Sequence, residues 1–577
     1  MNERLIEAQI LLESAIHYLE IADYKNCIAA SSNAAKIFEN QQQWKKFIQS
    51  KNISVQSYLS LLQYEKGKKE LDNLQLIVSS KLQKNSSETC SFFLNFGDYW
   101  QLKHDYNQAL QYYQNAFDIS QIVYGKNAPQ IADCYHKIGR TWGQKGEFEK
   151  ELTYYRKALT ISRQNWNNEH PFIAKCYQNM ARVFGVKGDY NTQLLYLQKA
   201  LNIYLQSLGK QHLTTAVAFD EVGRTHAMRE DFAKALKYHQ RALSIRQKLL
   251  SEFHYHLADS YFHIAYCLQS LQEFEAALAE YKKAYRIRKK LFGKNHASVA
   301  ACYNSMGVCF GHLRMYFRQF DYHQKALEIL LKIFGIQHHE VAFTYNQLGN
   351  CWQRRNFHSQ ALQHFQFALI SLVDGFESAN VYHNPRLINY AVTFELLNAF
   401  TQKAISLFQN YQTNSRSKKD LHRAMVPFQI ALELIDQKRH SFQSEHSKMD
   451  LIHRFMPVYE GAIQTALELH RLDGLGQYLR SAFTLAEKGK SVLLLSSIKD
   501  LEAKGIANIP AAMLAQEKEL RQQIVNLEKS IYQEQSIEEQ ANELRMSKLQ
   551  SHLFDHQQQY QDLVETLEQQ YPDYYRL

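Results

Sequence analysis

The chain contains 577 residues, carries a formal net charge of +10 and has only 7 prolines and 21 glycines. Apolar residues recur at helical spacing without an alternating strand pattern, which favours an all-α fold and excludes a β-rich one. No apolar run reaches about 18 residues, and the N-terminus lacks the charge order of a signal peptide, so we expect no membrane span.

Four helices are predicted in the first 88 residues, where apolar residues recur at positions i, i+3 and i+4. They lie near 3–21, 24–40, 42–64 and 67–84. The polar stretch from Lys84 to Glu88 is typical of a connection and marks their end. We therefore assign residues 1–88 to a domain of divergent helical repeats.

A fixed period of 42 residues runs through the next part of the chain. A period of this size, with small residues at set offsets, indicates stacked helical hairpins, and the small side chains let paired helices approach closely. We assign seven such repeats to residues 89–380. The small residues are Gly97, Gly139, Ala181, Gly223, Ala265, Gly307 and Gly349 in one column, and Ala116, Ala158, Ala200, Ala242, Ala284, Ala326 and Ala368 in another.

The strict period fails after Pro385, but helical patterns continue near 386–411, 418–439, 446–471 and 473–503. We assign residues 381–508 to divergent, longer repeats. Pro510 then opens a helix with apolar residues at heptad-like spacing, and a second such helix follows. Residues 509–577 are therefore predicted to form an antiparallel helical hairpin or coiled coil. Its apolar positions are Leu520, Ile524, Leu527 and Ile531, then Leu549, Leu553, Tyr560, Leu563 and Leu567.

The order of small and aromatic residues in each repeat resembles the tetratricopeptide repeat, and the 42-residue period with its G-x-x-H connector resembles the kinesin light chain version. This resemblance implies a right-handed superhelix, an α-solenoid, with a concave groove that binds a peptide or protein. The stretches in 417–505 and the hairpin ending in Tyr571-Pro572-Asp573-Tyr574 resemble bacterial tetratricopeptide proteins that carry a C-terminal caspase-like protease of the CHAT type. In that family the hairpin connects the array to the protease, which would begin where this chain stops.

A basic ladder is predicted in the groove, because in tetratricopeptide repeats the residue after the small residue of the first helix tends to face inward. Arg140, Arg182 and Arg224 occupy this position in successive repeats. Guanidinium groups suit carboxylates and phosphates, and amide side chains suit an extended peptide backbone. The alternative is that the arginines pair with Asp133, Asp220 or other local acids. The remaining candidate ligand-binding residues are His136, Gln178, Asn304, Asn346 and Asn350.

No catalytic motif is present, so we predict that the chain is not an enzyme and needs no cofactor or metal. The triplet Gly489-Lys490-Ser491 lacks the glycine five positions earlier that a phosphate-binding loop needs. The 8 cysteines show no C-x-x-C pair, which favours reduced thiols and a cytoplasmic protein. One histidine column lies at the start of five successive hairpins, where capping or packing is expected rather than metal binding: His170, His212, His254, His296 and His338.

These features together predict a protein-interaction scaffold whose groove binds a peptide or protein partner, with acidic segments as candidates. By resemblance, the scaffold would regulate a CHAT-type caspase-like protease supplied in cis or in trans. The alternative function is a basic solenoid that binds nucleic acid through its charge of +10. Against that alternative, the ladder has three arginines and lacks interleaved aromatic residues for base stacking, so neither nucleic acid nor a membrane is an expected partner.

Overall fold

The computed structural model describes residues 3–20, 23–61, 63–81, 85–387, 390–440, 445–489 and 510–536, together with single positions between 549 and 567. Helices account for nearly all regular structure in these ranges, and no strand occurs there. The all-α fold is confirmed. None of the described helices is both long and apolar enough to cross a membrane. All eight cysteines are buried as free thiols.

The N-terminal helices agree with the predicted pattern to within a few residues. They are α1 Glu3–Glu20, α2 Tyr24–Asn40, α3 Trp44–Ser60 and α4 Tyr64–Lys81. Their apolar faces share one core with the start of the next helix, in which Leu12, Phe38 and Phe47 are buried. Asp23 caps α2 by accepting a hydrogen bond from the Asn26 backbone N–H, which satisfies one donor at the helix start.

Seven helical hairpins follow at the predicted period. Each first helix has 16 residues, and from α5 to α8 and from α11 to α18 each helix packs against the next along the chain. The helices are α5 Ser87–Leu102, α6 Tyr106–Tyr124, α7 Pro129–Gln144, α8 Phe148–Asn165, α9 Pro171–Val186, α10 Tyr190–Ser207, α11 Leu213–Met228, α12 Phe232–Leu249, α13 Tyr255–Ser270, α14 Phe274–Phe292, α15 Ala297–His312, α16 Tyr316–Phe334, α17 His339–Arg354 and α18 His358–Leu372.

The glycines of the first small-residue column make room for a side chain of the partner helix. A Cβ added at Gly97 would overlap the ring of Tyr113, and one added at Gly349 would overlap the ring of Phe365. Both rings are fully buried. The sequence predicts that two helix backbones approach closely at this column. At these glycines a large ring from the second helix instead packs against the backbone of the first helix.

The chain divides into two compact units. Unit 1 comprises Met1–Val183 and Lys199–Gly209, and unit 2 comprises Phe184–Gln198 and Lys210–Leu577. The boundary falls within the regular repeats, where the sequence alone shows no change of pattern. The four domains assigned from the sequence remain predictions.

The helices after the regular repeats are α19 Phe394–Asn410, α20 Lys418–His440, α21 Glu445–Asp473, α22 at 476–489 and α23 Ala511–Ser536. A π-helical turn, Tyr411–Ser415, follows α19. In α21 the backbone bends at Phe455, two residues before Pro457, which lacks the N–H that an unbroken helix would use. Leu520 of α23 is buried against Leu563 and Leu567. The antiparallel hairpin assigned to residues 509–577 remains a prediction.

The helix predicted from residue 386 begins only at Phe394, and this part of the prediction was wrong. The buried ammonium of Lys403 holds the preceding segment in a non-helical path, donating to the His383 carbonyl at 2.7 Å and to Asn384 Oδ1 at 2.8 Å. Thr393 then caps α19 by accepting a hydrogen bond from the Leu396 N–H. The His383 carbonyl accepts a hydrogen bond from a side chain of α19. It therefore does not accept the backbone hydrogen bond that would start a helix.

Candidate functional site

The three arginines of the ladder predicted from the sequence are about half exposed. We define the ladder as the column that follows the small residue of each first helix. The side chains of Arg140, Arg182 and Arg224 are 45%, 47% and 53% exposed. Each of the three contacts an acidic residue. The alternative that they pair with local acids is therefore present in the structure, although the acids are not Asp133 and Asp220.

In unit 1, Asp98 organises the first basic residues. Lys137 Nζ donates to both carboxylate oxygens at 2.8 Å, and the Tyr113 hydroxyl donates to Asp98 Oδ1 at 2.6 Å. Arg140 Nη2 lies 3.6 Å from Asp98 Oδ1 and also donates to the side-chain oxygen of Gln101. Both Asp98 and Gln101 belong to the preceding repeat, so the guanidinium of Arg140 is fixed across the boundary between repeats.

Arg182 is fixed in a similar way by a carboxylate of the preceding repeat. Its Nη2 donates to Glu151 Oε1, and the Glu151 side chain is fully buried. Burial raises the pKa of Glu151, and the charge of Arg182 opposes that rise. Arg182 therefore has a structural role as well as an exposed edge, because it is the charge partner of a buried carboxylate.

Glu151 fits inside its hairpin because the residue that faces it on the first helix is a glycine. A Cβ added at Gly143 would overlap the Glu151 carboxylate. In six of the seven repeats one position of the pair is polar and long while the other is Gly or Ala. The pairs are Gln101 with Ala109, Gly143 with Glu151, Gly185 with Gln193, Gln269 with Ala277, Gly311 with Gln319 and Gln353 with Ala361.

Lys175, on α9, lies beside the first two basic residues. Burial of its ammonium lowers the pKa of Lys175, and the positive charges of Lys137 and Arg140 lower it further against the opposing effect of Asp133. The Lys175 ammonium is therefore close enough to Lys137 and Arg140 for electrostatic repulsion between them. We call Lys137, Arg140, Lys175 and Arg182 the basic patch of unit 1.

Arg224 belongs to unit 2, and its Nη2 lies 3.5 Å from Glu221 Oε1, three residues earlier on the same helix. Arg140 and Arg182 instead contact acids of the preceding repeat. We therefore restrict the candidate site to the basic patch of unit 1 and treat Arg224 separately.

Three of the predicted amide and imidazole residues are buried between repeats. Asn304 Nδ2 donates to Thr344 Oγ1 at 2.7 Å, and Asn346 Nδ2 donates to the Glu395 carbonyl at 3.1 Å. His136 Nε2 lies 2.6 Å from Asn179 Nδ2 in the next repeat. These side chains hold adjacent layers together, because their position, one turn before the ladder, points into the boundary between repeats. We call this buried polar boundary the seam.

The other two predicted residues lie nearer the surface. Gln178 is partly buried, and its Oε1 accepts a hydrogen bond from the Tyr204 hydroxyl at 3.1 Å. Asn350 is partly exposed on the ladder in unit 2. Gln178 lies on α9 three residues after Lys175 and four before Arg182, whereas Asn350 belongs to the other unit. Of the eight residues predicted from the sequence, Arg140 and Arg182 combine a half-exposed guanidinium with an acidic partner in the preceding repeat.

The histidine column caps helices, as predicted. Nδ1 of His296 accepts the Ser298 N–H at 3.1 Å, and the ring stacks on Phe292 with centroids 4.5 Å apart. His338 repeats both contacts with the Glu340 N–H and with Phe334. Aromatic stacking thus joins the end of one hairpin to the start of the next. The equivalent caps are made by His170, His212 and His254.

One polar cluster in the seam of unit 2 was missed by the sequence analysis. Asp220 Oδ1 lies 2.7 Å from His239 Nδ1 and 3.2 Å from His263 Nδ1. The three residues come from α11, α12 and α13, and their spacings of 19 and 43 residues are the seam spacings. Comparing the three seam positions together, instead of one column at a time, would have revealed the cluster in the sequence.

Two further sequence features fall at the limit of the described residues. Gly489 is the last described residue of α22, and Lys490 and Ser491 lie outside the described residues. The motif from Tyr571 to Tyr574 also lies outside them.

A family model described as "Tetratricopeptide repeat" matches residues 88–164, 177–248 and 256–316. The chain carries tetratricopeptide repeats. The predicted repeat family is confirmed, and the matched segments coincide with hairpins of the regular array. The resemblance to CHAT-type proteins remains a prediction. A comparison with curated proteins gave no match.

Solved tetratricopeptide arrays are among the structural matches. BtubC (BKLC) from P. vanneervenii is 22% identical over 40% of this chain and 91% of that chain, with a TM-score of 0.35. A putative kinesin light chain from Podosopora anserina is 16% identical over 36% of this chain and 99% of that one, with a TM-score of 0.33. The apo form of the quorum sensor NprR from B. thuringiensis is 15% identical over 63% and 98%, with a TM-score of 0.46.

Proposed function

We propose that this tetratricopeptide protein is a non-catalytic interaction scaffold and that the basic patch of unit 1 binds acidic side chains of a peptide or protein partner. The observation that carries the proposal is that Arg140 and Arg182 are each held by an acid of the preceding repeat while about half of each side chain stays exposed. A guanidinium fixed along one edge keeps further N–H donors for a second carboxylate. Its orientation is set before the partner arrives, which lowers the entropy cost of binding.

The spacing of the two arginines suggests the form of the ligand. They occupy equivalent positions on α7 and α9, and these helices touch through His136 and Asn179. Packed helices lie about 8–10 Å apart. A chain in the extended polyproline II conformation covers about 9 Å in one turn of three residues, which returns its side chains to the same face. An extended segment with acidic side chains three residues apart therefore matches the basic patch.

The proposal is tested by fluorescence anisotropy on the full chain with a labelled peptide that carries glutamate at every third position. The double variant Arg140→Gln with Lys175→Gln removes two positive charges. It keeps Arg182, so the buried Glu151 retains its charge partner. We expect the affinity to fall at least about tenfold, consistent with the loss of charged contacts. A control peptide with glutamine at the same positions lacks the negative charges. Its affinity for the wild type should be no higher than the affinity of the acidic peptide for the double variant.

Arg224→Gln is the matched control, since it removes a half-exposed guanidinium from the same column in unit 2. It should leave peptide affinity unchanged. If Arg224→Gln weakens binding as much as the double variant does, the effect is one of overall charge and the site is misplaced. If the acidic peptide does not bind the wild type, the proposal fails.

The net charge of +10 keeps nucleic-acid binding as the second candidate function. Phosphate binding releases counterions, so its affinity falls steeply as salt increases. Random-sequence RNA that binds more tightly than the acidic peptide, with a steep salt dependence lost in the double variant, would favour that function. Peptide binding that tolerates salt better than RNA binding would support the scaffold.

We also propose that the C-terminal hairpin transmits the state of the array to a CHAT-type caspase-like protease. The support is the sequence resemblance together with the packing of Leu520 on Leu563 and Leu567, which gives this end a two-helix element of its own. Deletion of residues 509–577 is the test, with a CHAT-type protease of the same organism as the probe. Loss of the protease interaction with peptide binding retained supports the proposal. Loss of self-association alone indicates a dimerising coiled coil instead.

A further inference from the structure

We propose that Asp220, His239 and His263 bind one divalent transition-metal ion, for which Zn²⁺ is the best match, and that the ion joins two successive repeats of unit 2. The sequence predicts no metal site, because the members of its histidine column lie one repeat apart. The proposed ligands are instead supplied by three consecutive helices. Imidazole and carboxylate are ligand types that Zn²⁺ shares with neighbouring first-row metals.

The ligand atoms already lie near the separations that a metal requires. Asp220 Oδ1, His239 Nδ1 and His263 Nδ1 lie within 4.8 Å of one another, and the two distances to the aspartate oxygen are 2.7 and 3.2 Å. Metal–ligand bonds of about 2.0–2.1 Å in a tetrahedral site place neighbouring ligand atoms about 3.3 Å apart. Shifts of well under an ångström would bring those two contacts to this separation. The two imidazole nitrogens, which lie within 4.8 Å of each other, would close by at most about 1.5 Å when an ion binds.

The surroundings combine shielding with access. Asp220 and His239 are buried, whereas the side chain of His263 is 29% exposed and gives an ion a way in from solvent. His239 is additionally confined by Gly223, where an added Cβ would lie 2.9 Å from the imidazole Cε1. A ligand held in this way loses little rotational freedom when it binds a metal.

A second set of contacts orients the aspartate. Arg246 Nη2 lies 3.7 Å from Asp220 Oδ2, and Arg246 Nη1 is anchored on Ser260 Oγ at 2.6 Å. Oδ1 is thereby left to face the two histidines, as is usual for carboxylate ligands that are themselves held by neighbours. The positive charge of Arg246 opposes a cation, so we expect weaker binding than at structural zinc sites with four protein ligands.

The composition of this seam layer differs from that of its neighbours. Of the residues that the structure describes, Asp220, His239 and His263 are the one group of three His, Cys, Asp or Glu side chains close enough to share an ion. Other seam layers make their hydrogen bonds without three such ligands. Examples are His136 with Asn179, and Asn304 with His323 and Thr344.

The test uses the full chain with Co²⁺ and Zn²⁺ alone as probes. We expect one equivalent of Co²⁺ to give the visible absorption of a protein-bound, non-octahedral ion and Zn²⁺ to displace it. Calorimetry should show one Zn²⁺ bound at least about tenfold more tightly to the wild type than to His263→Gln, which is the loss expected for one of three ligands. Zn²⁺ should also raise the melting temperature of the wild type more than that of the variant.

The matched control is His364→Gln, which removes a partly buried histidine whose Nδ1–H donates to the Gln360 carbonyl of its own helix. It keeps the number of histidines equal to that of His263→Gln, so adventitious binding to surface histidines is equal in both. Equal Zn²⁺ affinity in wild type and His263→Gln, or no stoichiometric site in the wild type, overturns the proposal. Should His263→Gln lose helix content, Asp220→Asn and the Co²⁺ spectrum of the wild type decide the outcome.

Discussion

At the scale of single residues, buried polar side chains define the seam, and their chemistry changes from one layer to the next. The position occupied by His323 holds Tyr113, Tyr155 and Tyr281 in other repeats. His323 Nδ1 pairs with Asn304 Oδ1 at 3.0 Å, and its ring is fully buried. A histidine in this setting must stay neutral, which connects stability to pH.

Acid should destabilise the array through these histidines. Burial lowers the pKa of His323 to about 3 and that of His136 to about 2, whereas an unfolded histidine has a pKa of about 6.5. The unfolded state therefore binds more protons below pH 6.5 or so, and the free energy of unfolding falls as the pH decreases. At pH 5 the loss is about 2 kcal/mol for each buried histidine.

Urea unfolding followed by circular dichroism at pH 7 and pH 5 measures this loss. His323→Tyr, which installs the residue of three other repeats, should reduce the pH-dependent loss by about 2 kcal/mol. The comparison is between the two pH values for each protein, so a cost of the substitution that is independent of pH cancels. An unchanged pH dependence in His323→Tyr would show that His323 is not neutral when folded.

A second prediction at this scale concerns the glycine column of the first helices. Gly349→Ala should destabilise by about 1–3 kcal/mol, because the new methyl group overlaps the fully buried Phe365 ring. Adding Phe365→Leu gives the combination that the sequence already uses at Ala181 and Leu197. In a double-mutant cycle measured by urea unfolding, the double variant should lose about 1 kcal/mol less free energy of unfolding than the sum of the two single losses. Additive costs would show that the ring moves aside freely.

At the scale of helices, the joints between hairpins combine a cap with a stack. The imidazole of His296 accepts the Ser298 N–H and lies on Phe292 at the end of the preceding helix. A turn residue with positive φ, such as Gly293 at 81°, lies between them. One side chain therefore sets both where a helix begins and how it meets the helix before it.

His296→Ala should remove both contacts and cost about 1 kcal/mol, the usual value of a helix cap. The effect should be local, with faster amide hydrogen exchange in the first turn of α15 and little change in α13. His296→Asn restores an acceptor at the cap without the stacking ring, so it should recover part of the protection. If asparagine recovers none of it, stacking on Phe292 rather than capping supplies the stability.

At the scale of the whole molecule, stability is distributed along the chain, because helices pack chiefly against sequence neighbours. Such an array approximates a series of repeat stabilities and interface terms, so damage should remain near its origin. This expectation applies within each unit and needs no contact between distant parts of the chain.

Ala242→Trp is the corresponding test, since Ala242 is fully buried in α12. Overpacking should strip hydrogen-exchange protection from α11 to α14 while α1 to α4 keep theirs. Ala233→Trp, at an exposed position of the same helix, is the control and should leave protection unchanged. A loss of protection along the entire chain in Ala242→Trp would show that the array unfolds as a single cooperative unit.

The all-α class, the period, the repeat family and the histidine caps can be predicted from the sequence alone. These features depend on local spacing, and a 42-residue period repeats the same local instructions in each hairpin. The start of α19 could not be predicted, because the ammonium that holds the preceding segment comes from Lys403, which is 20 residues after His383. Local pattern gave no sign of that contact.

Which ladder and seam side chains are exposed depends on how the hairpins pack in three dimensions. Arg140 and Asn304 both lie on first helices and both suited a ligand surface in the sequence, yet one is half exposed and the other buried against the next repeat. The difference arises from how successive hairpins pack, which sets the face of each helix that the next layer covers. The proximity of Asp220, His239 and His263 follows from the same packing, because three helices from two repeats must be assembled before their side chains meet.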